Sequence, residues 1–534
     1  MVSGITDAKA VAAAVQAWLE DEVDTESEQE LRTLLAEEAF DRLDGYFGAP
    51  LAFGTAGLRG ALQPGPSGMN RTVVRRAAAG LAAWLQAQGS AGAPVVIGYD
   101  ARHRSDVFAR DSAEVFAAAG FDARLLPRAL PTPVLAFAVQ YLGAAAGVMV
   151  TASHNPKNDN GYKVYVADGA QIAPPVDEAI EAQIRAVTRV RDVPLAETYT
   201  VLDEAVVDAY VAAIAGLVAP GRRGVRIVHT AMHGIGTETV RKVFAAAGFD
   251  PLLSVPEQAD PDPEFPTVDF PNPEEPGAID LALALLRSSG ADLVLANDPD
   301  ADRCAVAVPT DDGGTMLRGD AVGVLLADAL IRRGVRGTYA TTIVSSSMLG
   351  AICERHGVEF AQTLTGFKYI SRAATDLVFG YEEALGYAVA PELVRDKDGI
   401  SAALLLADLA AELKAAGSSL PARLEELYAE YGRYATDQLS VRVDDLGEIA
   451  AMMQRLRDEP PATLLGSLAL FEDLLPDTDG VRLTWGSGRV VVRPSGTEPK
   501  LKAYLEVVLP GGTATEGREQ LAHLRTEISA ALGL

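Results

Sequence analysis

The 534-residue chain is too long for one hydrophobic core, and its hydrophobic share of 49% can build several. A net charge of −27 at pH 7 argues against nucleic acid or anionic membrane as partners, since both need a basic face. No apolar run reaches the ~18 residues of a spanning helix. No basic-then-apolar leader opens the chain, and Cys304 and Cys353 lie outside any CxxC, so a reducing, cytoplasmic setting is expected without disulfide or zinc site.

Residues 1–49 are rich in Ala, Glu and Leu and predict one or two amphipathic helices. Strands and helices then alternate. "APVVIGYD" is a strand ending at Asp100, and its following helix ends in "FAAAGFDARLL". "GVRIVHTAMHGIG" is a second strand and loop, whose helix ends in "FAAAGFDPLLS". A looser third copy runs from "TYATTIVSSS" into "MLGAICERHGVEFAQT". Strand, polar loop, helix, glycine stop and strand make a βαβ unit, repeated in three successive domains. A helix is expected near 196–210, and the Pro-rich piece "PEQADPDPEFPTVDFPNPEEP" reads as a long irregular loop. After Tyr434 short strands and helices predict a different, α+β domain. The expected divisions are 1–49, 50–205, 206–317, 318–434 and 435–534.

Four stretches carry chemistry. "TASHNPKNDNGYKVY" follows the apolar strand "AAAGVMV" directly, at a strand end where α/β proteins bind ligands. Ser153 is a candidate nucleophile there, with His154 or Lys163 as proton-transfer partner. Asn155-Pro156 and Asn160-Gly161 are turn formers expected to hold the serine. Alone, the stretch also fits a polar turn with an idle serine. In "NDPDADR", Asp298, Asp300 and Asp302 alternate, so their carboxylates can converge on a hard cation such as magnesium or calcium. An EF-hand is excluded, because Arg303 and Pro309 stand where its glycine and glutamate belong. An acidic surface turn is the bland alternative.

"VVRPSGTEPKLKAY" ends a strand at Arg493 and then offers Ser495, Gly496, Thr497 and Lys500. A guanidinium beside a glycine turn suits a phosphate, although a strand-to-helix turn with a cap would also read this way. "FGYEEALGY" sets Glu382 and Glu383 among aromatics and would suit sugar hydroxyls. No GxSxG elbow and no GxxxxGK[ST] loop is present, which disfavours an esterase and an ATP site.

In this order the four motifs resemble the α-D-phosphohexomutase superfamily, the phosphoglucomutases and phosphomannomutases. "FGTAGLRG", "TLTGFKYI", "YEEALGY" and "DKDGISA" resemble the branch of longer phosphoglucomutase-2-like enzymes, which includes hexose and pentose phosphomutases. The resemblance runs from about Pro50 to Leu534. It implies an α/β, four-domain architecture: three related α/β domains with mixed or parallel sheets and a C-terminal α+β domain around a central cleft. It implies a phosphoserine at Ser153, and magnesium held by Asp298, Asp300, Asp302 and the phosphoserine itself. Arg59 and Arg303 would hold the reacting phosphate, with His154 and Lys163 assisting proton transfer. Thr365, Gly366, Phe367, Lys368, Glu382, Glu383 and Lys397 would recognise the sugar. Arg493, Ser495, Gly496, Thr497 and Lys500 would hold the other phosphate.

The implied activity interconverts hexose 1-phosphate and hexose 6-phosphate, glucose or mannose, through a bisphosphate, with glucose 1,6-bisphosphate as primer. The partners are small sugar phosphates; monomer and dimer are both open. A phosphopentomutase is the alternative, followed by a sugar-bisphosphate synthase or a metal-dependent sugar phosphatase. A non-catalytic sugar-phosphate sensor is disfavoured, because it would not need a nucleophile. Ala384 stands where many hexose mutases carry a serine, and Tyr387 where some carry a histidine. Both departures bear on sugar choice and leave the phosphoryl-transfer groups intact.

Overall fold

The computed structural model describes residues 7–54, 57–221, 223–311, 313–443, 445–495 and 500–534. They form two compact units. One holds the chain up to Leu317 together with Gly386–Lys414; the other holds Arg318–Leu385 and Ala415–Leu534.

The larger unit opens with three helices, Ala8–Leu19, Thr25–Ala36 and Phe40–Phe47, where one or two were expected. Asp7 and Asp24 cap the first two by accepting the amides of Lys9 and Glu26. Glu38 takes a left-handed φ of 52°, which ends the second helix and releases the third. Val11, Val15, Leu31, Leu34, Leu43 and Phe47 close a small core of their own.

A six-stranded sheet follows, made of β1 (Leu58–Ala61), β2 (Pro94–Tyr99), β3 (Asp122–Leu125), β4 (Ala146–Val150), β5 (Asp159–Val166) and β6 (Thr200–Val201), in the order β1-β5-β4-β2-β3-β6. Strands β4, β2, β3 and β6 run parallel, while β5 turns back antiparallel to β4 and β1 pairs antiparallel with β5. The helix expected near 196–210 begins at Ala205, because residues 200–201 are first used as the edge strand β6.

The second sheet repeats the plan. It contains β7 (Ile227–Thr230), β8 (Leu253–Ser254), β9 (Leu293–Ala296), β10 (Ala305–Val308) and β11 (Thr315–Met316), in the order β11-β10-β9-β7-β8. Strands β8, β7 and β9 are parallel, and β10 returns antiparallel to β9. The repeated "AAAG" has a local cause. Gly120 and Gly248 take φ of 86° and 84° just past helices that end at Ala118 and Ala246, a left-handed turn that disfavours a Cβ. The consequence for chemistry is that the serine loop joins β4 to β5 and the aspartate loop joins β9 to β10. Each is the return of a hairpin at the carboxyl end of a parallel strand.

In the smaller unit β12 (Thr338–Thr342), β13 (Glu359–Thr363) and β14 (Leu377–Glu382) pair in parallel, in the order β13-β12-β14. The last domain is α+β. Antiparallel strands Arg433–Arg442, Lys500–Leu509, Gly488–Pro494, Val481–Trp485 and Leu470–Asp473 pack with helices Leu446–Asp458 and Ala514–Leu532 over Leu483, Val490, Leu505, Leu524 and Ile528. Among the described residues no helix is long and apolar enough to cross a membrane.

Candidate active site

Ser153 is buried, at 2% exposure, and held at a left-handed φ of 53°. Its amide donates to Thr151 Oγ1 at 2.9 Å, and its own Oγ donates to Asp298 Oδ2 at 2.8 Å. His154 Nδ1 lies 3.2 Å from the same oxygen. Asn155 donates its amide to Ala152 and Asp159 donates its own to Pro156, so the loop is two successive turns. Asn160-Gly161, expected as a turn former, lies instead inside β5. The Asn160 side chain is taken up by the His103 carbonyl and Ser105 Oγ, and Gly161 sits where a Cβ would meet the Thr151 carbonyl at 2.6 Å.

In the aspartate loop Ala301, at φ 55°, donates its amide to the Asp298 carbonyl, and the Arg303 amide donates to Asp298 Oδ1 at 3.0 Å. Asn297 fixes the far side: it donates to the Arg303 carbonyl and faces His229 Nε2 at 3.0 Å. The three carboxylates are fully buried and present oxygens within 4.8 Å of one another. Lys163 Nζ donates to Asp300 Oδ2 at 2.7 Å and to Asp302 Oδ2 at 2.9 Å. Lys397 Nζ stands 3.4 Å from Asp302, and Arg303 Nε 4.0 Å from Asp298. Arg59 Nη1 reaches Asn155 Oδ1 at 3.1 Å. Thus Ser153, His154, Lys163, Lys397, Arg303 and the aspartates meet in one place, with Arg59 attached through Asn155.

Burial and charge pull these groups apart electrostatically. Burial raises Asp298 well above the carboxylate range, and Asp300 and Asp302 raise it further. Burial would also raise Asp302, but Lys163, Lys397 and Arg303 hold it far below that range. Burial opposes the charge on Lys163, yet Asp300 and Asp302 outweigh it and raise the ammonium pKa. His154 is pushed well below its ordinary value by burial and then by Arg303 and Arg59, so its imidazole is neutral at pH 7. Oδ1 of Asp300 and Oδ1 of Asp302 are buried without a hydrogen-bond partner among the described residues. An orphaned carboxylate oxygen is costly unless something else meets it, so this donor set fits a hard cation.

The smaller unit carries the remaining sequence candidates. Glu382 ends β14 and is 9% exposed; Glu383 accepts from Ser345 Oγ at 3.0 Å. Thr365 Oγ1 is buried without a hydrogen-bond partner among the described residues. Gly366 adopts φ 121°, Phe367 starts the short helix Phe367–Ile370, and the buried Lys368 lies 4.7 Å over the Tyr369 ring. Arg493 Nε is buried with no hydrogen-bond partner among the described residues, and the Ser495 amide donates to the Lys500 carbonyl at 2.7 Å. The chain then continues as a strand, not a helix. Gly496 and Thr497 lie outside the described residues.

Four family descriptions match the chain in succession: phosphoglucomutase/phosphomannomutase α/β/α domain I at residues 50–191, domain II at 208–313, domain III at 318–431 and the C-terminal domain at 439–524. A probable phosphomannomutase of Haemophilus influenzae is 48% identical over 452 residues, covering 82% of this chain and 93% of its own. The chain belongs to the phosphoglucomutase/phosphomannomutase family. The human phosphopentomutase is 36% identical over 577 residues, covering 96% and 94%. The crystal structure of a putative phosphomannomutase from Thermus thermophilus superposes with a TM-score of 0.73 at 29% identity, over 90% of this chain and 99% of that one.

This phosphosugar mutase therefore has the four-domain phosphohexomutase architecture and is an isomerase of that family. Two residues near its site escaped the sequence reading. Arg102 is 4% exposed and donates to the carbonyls of Ser153, Asn155, Pro156 and Asp159, at 2.6, 2.6, 2.8 and 3.2 Å. Thr132 gives its hydroxyl to Asp300 Oδ2 at 2.7 Å and its amide to the Asp300 carbonyl at 3.0 Å. An arginine two residues beyond the strand-ending Asp100 was a weak signal for the first. Thr132, in "LPTPV", carried none.

Proposed function

We propose that this chain moves a phosphoryl group between the anomeric and the terminal oxygen of a sugar monophosphate, with the 1- and 6-phosphates of glucose or mannose as its substrates. The observation that carries the reading is the Ser153 hydroxyl 2.8 Å from a buried carboxylate of a three-aspartate cluster. Phosphoryl transfer asks for such positioned charge more than for covalent machinery.

In the working cycle Ser153 carries the phosphoryl group. A sugar hydroxyl attacks it: the bond between phosphorus and Ser153 Oγ breaks, a bond to the sugar oxygen forms, and the hydroxyl proton leaves. His154, neutral beside Oγ, is the group fitted to take a proton and later return one. Lys163, held protonated, keeps positive charge beside Asp300 and Asp302. The sugar bisphosphate then presents its other phosphate, and Ser153 Oγ takes it back by the reverse bond changes. Asp298, Asp300, Asp302 and the phosphorylated Ser153 would hold magnesium, which when bound neutralises charge on the transferring oxygens. Arg59 and Arg303 suit the reacting phosphate. Glu382 and Lys397 suit sugar hydroxyls, and Arg493 the second phosphate. Glucose 1,6-bisphosphate would prime the serine.

A pentose substrate is the second reading. Ala384 supports it by removing a hydroxyl from the sugar loop, as does the likeness to a phosphopentomutase along almost the whole chain. One neutral hydrogen bond contributes only about 0.5–1.5 kcal/mol, too little to exclude hexoses. The deciding experiment assays glucose, mannose and ribose 1-phosphates, each with a bisphosphate primer. Hexose kcat/KM values at or above that for ribose are expected. A hundredfold preference for ribose would overturn the hexose assignment. Release of inorganic phosphate without isomerisation would overturn the mutase itself.

A further inference from the structure

The Pro-rich stretch 256–276 has no place in the cycle above, yet it contacts the serine loop directly and reaches the aspartate loop through the loop that follows β7. Gln258 and Thr267 lock it to the end of β7 and to the loop that follows. Thr230 Oγ1 donates to Gln258 Oε1 at 2.7 Å, the His233 amide donates to the Gln258 carbonyl, and His233 Nε2 lies 2.8 Å from Thr267 Oγ1. That loop abuts the aspartate loop: the Ile235 amide donates to the Pro299 carbonyl, and a Cβ on Gly234 would come within 2.3 Å of Pro299 Cα. Between those two anchors Phe265 is 4% exposed and held at φ 46°, and the Arg102 guanidinium lies 5.0 Å from its ring centroid. Arg102 in turn grips the carbonyls of the serine loop. Beside it Glu264 bridges His103 at 2.6 Å and Lys157 at 2.8 Å.

We propose that residues 256–276 act as a brace that holds the Ser153 loop against the aspartate loop, with Phe265 as its positioning residue acting through Arg102. The proposal rests on the phosphoserine reading of Ser153. Arg102 spends its Nη donors on backbone carbonyls, while its Nε faces Asp100 Oδ2 at 3.4 Å, so the loop is only as fixed as that guanidinium, which Asp100 and the Phe265 ring hold between them. A buried aromatic face holds a cation electrostatically as well as sterically. Small displacements of a reacting group lower kcat strongly without changing ground-state binding.

The test compares wild type with Phe265→Leu, which keeps apolar bulk and removes the ring face, and with Phe265→Ala. Two readouts are taken on each folded protein: hydrogen exchange of amides 153–161, and kcat and KM with the best sugar 1-phosphate of the panel. The expected result is exchange at least tenfold faster in that segment, with kcat about tenfold lower and KM within twofold of wild type. If Phe265→Ala fails to fold, Phe265→Leu decides alone. Wild-type exchange in 153–161 overturns the brace, whatever the activity. Faster exchange with unchanged kcat overturns its role in positioning. A wild-type enzyme that takes up no phosphate on Ser153 even with the bisphosphate primer overturns the mutase reading instead, and exchange alone then decides the brace.

Discussion

A Cβ placed on Gly399 would stand 2.1 Å from the Arg303 carbonyl oxygen. The helix that starts at Gly399 therefore meets the aspartate loop backbone to backbone. Asp398 caps that helix by accepting the amides of Ile400 and Ser401, at 2.9 and 3.0 Å. Gly399→Ala should push Arg303 and Asp302 out of place. We expect a stability loss of about 1–3 kcal/mol and a larger proportional loss of kcat, measured by thermal unfolding and by turnover well below the transition.

Ser153→Ala should abolish turnover and leave the fold intact, because the residue contributes little beyond a hydrogen bond or two, about 0.5–1.5 kcal/mol each. Peptide mapping of the wild-type enzyme should place a phosphate adduct on Ser153. A fully active alanine variant would remove the proposed cycle.

Chelation should stop activity, and magnesium should restore it better than calcium, whose larger, looser shell would misplace the transferring group. Asp300→Asn should cut the rate severely and weaken the metal dependence. Its Oδ2 is occupied by Lys163 and Thr132, while its Oδ1 has no partner among the described residues. Full activity in excess chelator would refute the metal assignment.

Arg493→Ala should act mainly on KM. A charge-assisted contact with a phosphate contributes about 1.5–3 kcal/mol, which is roughly tenfold to more than a hundredfold in affinity. The phosphate on Ser153 should persist. An unchanged KM would mean that the loop is only a hairpin return.

Asp320 accepts the Ser346 amide at 2.7 Å, and burial, with Glu383 and Glu506 adding to it, pushes its carboxyl up from 3.8 to about 7. The folded state thus keeps a proton that the unfolded chain releases near pH 4. Stability from this group is fully present below about pH 4 and is lost as the pH rises through about 7. Asp320→Asn keeps the acceptor and removes the titration. Its melting temperature relative to wild type should rise between pH 5 and pH 8. A constant difference across that range would show that Asp320 does not titrate there.

What the chain reveals by itself is local. The strand, helix and glycine stop recur because Gly120 and Gly248 must take a left-handed turn, and that requirement is written in the residue itself. Ser153 with its neighbours and the alternating Asp298, Asp300 and Asp302 are legible because their functional groups lie within a few residues of one another. Tertiary structure alone decided the rest. Asn160-Gly161 looks like a turn and is strand, since pairing with Gly60 and Arg59 of β1 outweighs a dipeptide preference. Arg102, Thr132 and Phe265 reach the site only through distant pairings, and Arg102 binds backbone carbonyls that every sequence possesses. Periodicity reports which face of a segment is buried. It does not report what that face meets, and the meeting of Ser153 with Asp298, 145 residues apart in sequence, is what makes the site.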